Sequence, residues 1–350
     1  MSVNPFNHAF LSELFGDAEL SVCFTAEADI AAMLSFEMAL AQAEAGQGVI
    51  AAEDAEGIVS ALSVFTPDMQ ALKTATARDG VVIPELVKQM RKAVGGQAAD
   101  KVHFGATSQD AIDTSLVLRL KAAILILDQR LETLISAFRQ LDAAFGLQPL
   151  MGHTRMQPAI AITVSDRIAA WWAPLERLRT RIAALLADGF AVQFGGAAGT
   201  LEKLGDKGEA VRNALAHELG LTPAVQWHSQ RDRIVDVADL LSLISGTLGK
   251  FGQDVALLAQ GGKEIQLSGG GGSSAMPHKQ NPVAAETLVT LARFNAVQIS
   301  GLHHSLVHEQ ERSGAAWALE WMLLPQMAVA AGAATRTAQH LIGSIVRLGA

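Results

Sequence analysis

Residues 114–145 read TSLVLRLKAAILILDQRLETLISAFRQLDAAF, with no proline or glycine. Leu120, Ile124, Leu127, Leu131, Leu134, Phe138 and Leu141 recur at intervals of 4, 3, 4, 3, 4 and 3 residues. That spacing makes one apolar seam on an α-helix packed lengthwise against its neighbours. Helices of 30 residues or more span about 45 Å or more, so the partners must lie alongside in an extended bundle. Leu118 and Leu125 fall off the seam. One chain's bundle leaves such extra apolar surface uncovered, which predicts a homo-oligomer.

Further long helices read at 157–191, where Pro174 marks a kink, at 231–266, at 283–304 and at 317–347. In the second of these, Leu240, Leu243, Ile244, Leu248, Phe251, Val255 and Leu258 face inward. Before residue 105 the helices are shorter and separated by turn signals at Thr66-Pro67-Asp68, Asp79-Gly80 and Gly95-Gly96. The expected fold is all-α: a smaller helical domain over 1–104 and an elongated long-helix bundle over 105–350.

Composition narrows the function. Half of the residues are hydrophobic but only 5% aromatic, with no tyrosine. A formal charge of −8 argues against a nucleic-acid partner, yet leaves room for a small anionic substrate held by a few local cations. The single cysteine, Cys23, cannot form an internal disulfide and fits a reducing cytoplasm. The first residues, MSVNPFNHAFLSELFGD, lack a secretory pattern, and no apolar run reaches the roughly 18 residues of a membrane span.

Polar and catalytic residue types gather between the helices, at 101–110, 150–159, 194–201, 226–232, 269–282 and 308–317. The most unusual segment is 269–282, GGGGSSAMPHKQNP. It does not read as a dinucleotide fingerprint, lacking the G-x-G-x-x-G order and any strand expected before it, nor as a Walker A loop, because Lys279 follows a histidine. A plain linker would not need a polar segment set between prolines and leading into a helix. Exposed glycine N–H groups, the Lys279 cation, the Asn281 amide and the next helix's N-terminus instead make an anion site. A serine in that field can exchange a proton with carbon, and the glycines let the loop open and close.

GSSAMPHKQNP resembles the fumarase/aspartase superfamily signature GSSxMPxKxNP at every specified position. HFGATSQD (103–110) and GHTRMQPA (152–159) are similar to that superfamily's first and second conserved regions. QFGGAAGTL (193–201) and WHSQRDRIVDVADLL (227–241) look like its adenylosuccinate lyase and muconate cycloisomerase branches. TSQD, WHSQRD and HEQERSGAAWALEW (308–321) favour the cycloisomerase branch. The resemblance covers about residues 5 to 345.

The resemblance implies a cytoplasmic homotetramer whose active sites draw loops from three subunits, with no metal or other cofactor. It implies an intramolecular lyase that closes 3-carboxy-cis,cis-muconate to a lactone in aromatic-acid breakdown through protocatechuate. A sulfo-muconate cycloisomerase and an adenylosuccinate-type lyase are the alternatives. By motif position Ser273 is the catalytic serine, while Lys279 and Asn281 hold the substrate carboxylate and its delocalised charge. Thr107 and Ser108 bind carboxylate, with His103, His153, Gln157, Ser274, Met276, Arg312 and Ser313 around the substrate.

Two departures stand out. Many members read GRTH in the second region, whereas 152–155 here is GHTR. Arg155 is therefore expected to bind an extra carboxylate, and a lyase that must protonate a leaving amine is disfavoured. The superfamily's usual C-terminal domain of about 100 residues is expected to be absent.

Other residues have plainer readings. His304 and His308 stand four apart, but HEQER is not a zinc motif, so surface or substrate-contacting roles are expected. His103 either orients the loop around Thr107 or satisfies a buried backbone group, and His228 is similar. Trp171, Trp172, Trp317 and Trp321 read as packing residues. Arg231 and Arg233 are expected to pair locally with Asp232 and Asp236.

Overall fold

The computed structural model describes residues 4–276 and 278–350. Two short helices, α1 (Ser12–Phe15) and α2 (Ala18–Val22), lead into α3 (Ala26–Gly46), α4 (Ala52–Ser63), α5 (Met69–Asp79) and α6 (Ile83–Val94). The turn signals act as read. Asp68 caps α5 by accepting from the Gln70 and Ala71 N–H groups, and Gly80 closes it in the left-handed region.

The seam helix, α7 (Ser108–Phe145), buries all seven seam residues to 7% exposure or less. It begins six residues before Thr114. The cause is local: the Asp110 carboxylate, at the third helical position, accepts from the Thr107 N–H at 2.9 Å and closes a capping box.

The largest correction follows α7. Residues 157–163 are not helical. They form β2 (Gln157–Thr163), paired antiparallel with β1 (Pro149–Thr154). Pro158 and the β-branched run through Thr163 favour strand. The helix α8 (Val164–Ala184) starts only where Thr163 and Asp166 form a second capping box. It runs through Pro174 and ends in a π-turn at Leu185–Gly189.

After α9 (Gly208–Glu218) comes α10 (Asp232–Gly261), which stops at the left-handed Gly262 rather than at 266. Residues beyond it form β3 (Ile265–Leu267). The helix α11 (Val283–His304) has the expected bounds, and α12 (Ala315–Gly343) ends before the expected 347. The last residues instead form β4 (Ile345–Leu348), antiparallel to β3. Along α10 the expected inward residues are buried except Leu243, which is 44% exposed.

Helices α7, α8, α10, α11 and α12 pack side by side, with α3 against α7. Phe251 meets Phe138 and Trp171 edge-on, and Phe138 and Trp171 meet at a tilt, which ties α7, α8 and α10 together. Leu125, Leu243, Val297 and Met322 leave apolar exposed positions on four of the long helices. No helix among the described residues is long and apolar enough to cross a membrane.

The bundle has two chemically distinct ends. One holds the N-termini of α7, α10 and α12, joined by buried contacts among Asp113, Arg231, Trp317 and Glu320. The other holds their C-termini. There β3 and β4 pair, Met151 N–H donates to Glu264, and Ser268 N–H donates to the Ser344 carbonyl. The 38 residues of α7 put these ends about 57 Å apart at 1.5 Å per residue.

Candidate active-site elements at the two ends of the bundle

At the first end, the start of α7 is organised by Asp110. Its fully buried carboxylate accepts from Thr107 N–H, Gly195 N–H and Gly196 N–H, each at 2.9 Å, and pairs with His228 Nε2 at 2.7 Å. Three loops are thereby pinned to one helix terminus. Glycine is needed at both loop positions. A Cβ on Gly195 would lie 2.7 Å from Gln226 Cβ, and Gly196 has φ +71° with the Gly105 carbonyl 2.8 Å from where a Cβ would stand. Only a bare backbone brings both N–H groups onto the carboxylate.

Gln109 extends the arrangement. Its amide NH2 donates to Asp113 and to the His228 carbonyl, while its Oε1 accepts from Arg312 Nε at 3.0 Å. Arg312 also donates to the Ala197 carbonyl, which places a guanidinium against Gln109 in the first turn of α7, at the positive end of a long helix. Ser313 is buried and accepts from Ala316 N–H. His103 adopts φ +61° and sets Nδ1 2.6 Å from the buried Glu37 carboxylate. It therefore partners a side chain rather than a backbone group.

Behind these residues lies the second correction. Arg231 does not pair with Asp232. It is 1% exposed and makes two bonds each to Asp113 and Glu320, at 2.6 to 3.1 Å. Burial acts to lower its pKa, but the two carboxylates more than reverse this and hold the charge in place. Arg233 donates to the Asp188 carbonyl, and Asp236 pairs with Arg181. His308 is likewise no surface residue: its side chain is fully buried, with Nε2 3.8 Å from Glu320. Trp171 and Trp317 are buried packing residues, each also donating its indole N–H to an aspartate. No group of three metal-ligating side chains occurs among the described residues.

The second end carries the rest of the candidate residues. Gly271 and Asn281 exchange backbone hydrogen bonds at 2.9 Å and clamp the base of the signature loop. Within it, Ser273 Oγ accepts from Met276 N–H, Lys279 N–H donates to the Met276 carbonyl, and the Asn281 amide reaches the Gly272 carbonyl. Ser273 and Asn281 are half-buried, while Ser274, Met276 and Lys279 are exposed. The clamp ends in α11, whose N-terminus faces the loop.

Beside the loop, the β1–β2 hairpin turns through Arg155 and Met156, at φ +47° and +66°. Positive φ at both is what a two-residue hairpin loop between the paired Thr154 and Gln157 demands. His153 contacts the Met151 carbonyl, and His153, Arg155 and Gln157 are exposed.

The predicted residues thus fall into two groups. His103, Thr107, Ser108, Arg312 and Ser313 stand at one end. His153, Arg155, Gln157, Ser273, Ser274, Met276, Lys279 and Asn281 stand at the other. No single chain brings Ser273 to Thr107, because the clamped loop cannot cross the length of α7. Asp110, Asp113, Glu37 and Glu320 were not singled out from sequence. Only Asp110 had a visible signal, the T-x-x-D box at 107–110.

Comparison with known proteins agrees with this architecture. A family model described as "Lyase" matches residues 15–339. The 3-carboxy-cis,cis-muconate cycloisomerase of Pseudomonas aeruginosa is 39% identical over 350 residues, covering 98% of this chain and 76% of that protein. The Bradyrhizobium diazoefficiens enzyme of the same name is 42% identical over 310 residues, covering 86% and 69%. The crystal structure of the 3-carboxy-cis,cis-muconate lactonizing enzyme from Pseudomonas putida superposes with a TM-score of 0.91 at 36% identity, covering 97% of this chain and 78% of that one. With the family match spanning most of its length and such relatives along nearly all of it, this chain belongs to the lyase family of the fumarase/aspartase superfamily.

Proposed function

We propose that this protein is a cofactor-independent cycloisomerase that closes 3-carboxy-cis,cis-muconate to a carboxymuconolactone. The carrying observation is the intact signature loop in a chain 39% identical to such an enzyme over 98% of its length. The chemistry suits the residues available. One substrate carboxylate, already ionised at neutral pH, attacks a conjugated C=C bond and forms the ring C–O bond. The π electrons move toward a second carboxylate as an enolate-like charge, and the neighbouring carbon takes up a proton.

Lys279, Asn281 and the loop N–H groups are the stabilisers of that charge, and Ser273 is the proton donor to carbon, replenished from solvent. Thr107, Ser108 and Arg312 bind a carboxylate at the start of α7. Arg155 takes the additional carboxylate, a role open to it because no leaving amine needs an acid in the second region.

Because the two groups stand at opposite ends of one chain, the working site is assembled from different copies in a homotetramer. The exposed apolar positions on α7, α10, α11 and α12 supply contact surface for that assembly.

The test is an ultraviolet assay with 3-carboxy-cis,cis-muconate, with adenylosuccinate in parallel and Ser273→Ala as control. Loss of the diene absorbance in wild type and not in the variant is the expected result. Fumarate release from adenylosuccinate alone would move the protein to the lyase branch.

A further inference from the structure

Glu37 lies on α3, outside every loop that carries a signature, yet its side chain is 0% exposed and its Oε1 stands 2.6 Å from His103 Nδ1. The other carboxylate oxygen makes no hydrogen bond among the described residues. A buried carboxylate with one oxygen given to one imidazole is an expensive arrangement unless that contact has a use. The opposite ring nitrogen of His103 makes no hydrogen bond among the described residues, and the side chain is 11% exposed. His103 also holds φ +61°, a conformation that costs energy in a non-glycine residue and fixes where the ring projects. The imidazole is thus clamped from the protein interior at one nitrogen and open at the other, four residues before Thr107.

We infer that Glu37 is a positioning residue: its buried carboxylate fixes the His103 ring so that the Nε2–H is offered to a substrate carboxylate beside the start of α7. Carboxylate–imidazole pairs fix ring orientation where histidines serve as ligands; with Nδ1–H given to Glu37, Nε2 carries a hydrogen in the imidazolium, the form Glu37 favours.

The surrounding charges agree. Burial acts to lower the His103 pKa, but Glu37, with a smaller contribution from Asp110 of α7, raises it on balance against Arg91 of α6. Glu44, one helical face along from Glu37, is pushed up to about 9 by burial and by Glu37, with Lys101 acting the other way. Glu44 is therefore neutral near pH 7. Glu37 thus favours the protonated ring, in which both nitrogens donate. Without Glu37, burial would make the ring lose its proton at lower pH than in the wild type.

The inference deepens the polycarboxylate-substrate reading and rests on it for the ligand, but not for the dyad. The first measurement is a histidine titration by ¹H–¹⁵N correlation spectroscopy on the intact protein, with His103→Asn identifying the resonance. His103 is expected to stay protonated to higher pH in wild type than in Glu37→Gln; identical titrations would overturn the inference. The second is calorimetry at pH 8 with propane-1,2,3-tricarboxylate as an unreactive probe. Glu37→Gln is expected to weaken binding by about tenfold, with a smaller loss at pH 6 and none on a His103→Asn background. An equal loss on both backgrounds would mark Glu37 as merely structural. Failure to turn over the muconate with both results intact would count against the proposed substrate and leave the dyad supported.

Discussion

Asp110 and His228 face each other across two loops, with Oδ1 and Nε2 2.7 Å apart and both side chains buried. The same carboxylate holds the Thr107, Gly195 and Gly196 N–H groups, so its charge sets the geometry of the whole helix terminus. Asp110→Asn replaces an acceptor-only group by one whose NH2 meets donors. Stability is expected to fall by about 2–4 kcal/mol and kcat/KM by about 100-fold. Denaturant titration and steady-state kinetics check both, and a variant within error of wild type would show that the hub does not organise the site.

Arg231 bridges Asp113 and Glu320 with every member buried. Arg231→Met leaves two carboxylates unpaired and is expected to cost about 3–5 kcal/mol. Replacing Arg231, Asp113 and Glu320 together by apolar residues of similar volume should recover most of that loss. Denaturation midpoints of the single and triple variants make the comparison.

Among the described residues, Ser273 bonds within its own loop. Ser273→Ala is therefore expected to leave the melting temperature unchanged and lower kcat by about 10³-fold, within the range for a lost proton-transfer group. A KM rise with unchanged kcat would instead assign the hydroxyl to binding.

The pH dependence of stability carries the signature of Glu44. Its carboxyl is neutral in the folded protein up to about pH 9, raised mainly by burial and then by Glu37, whereas in the unfolded chain it ionises near 4.3. Between those values the folded state binds one more proton, so this group's contribution to stability is full below the unfolded pKa. It is lost as pH rises, at up to about 1.4 kcal/mol per pH unit. Glu44→Gln removes that slope. The difference in stability between the variant and wild type should grow from pH 5 to pH 8, and a constant difference would contradict the assignment.

The long helices were legible because their periodicity is physical: each seam residue of α7 is buried, and α11 has its expected bounds. The hairpin was not, since the near-continuous apolar run AIAITV (159–164) leads straight into a helix and fits either element by pattern, and pairing with 149–154 decides for strand. Motif position located the loop residues Ser273, Lys279 and Asn281. It could not show that they stand a bundle's length from Thr107, because nothing local encodes the distance. Arg231 was misread for the same reason. Sequence neighbours offered Asp232 as a partner, while folding delivers Asp113 and Glu320 from more than 80 residues away along the chain.

Subunit complementation distinguishes a site built from opposite ends of different copies from one built within a single chain. Ser273→Ala disables the loop end and Arg312→Ala the α7 end. Each variant alone is expected to be nearly inactive. Mixed in equal amounts, dissociated and reassembled, they should recover about one quarter of wild-type activity, the chance that independently drawn copies supply both intact ends. Activity no greater than the mean of the two variants alone would show that no site is shared between copies.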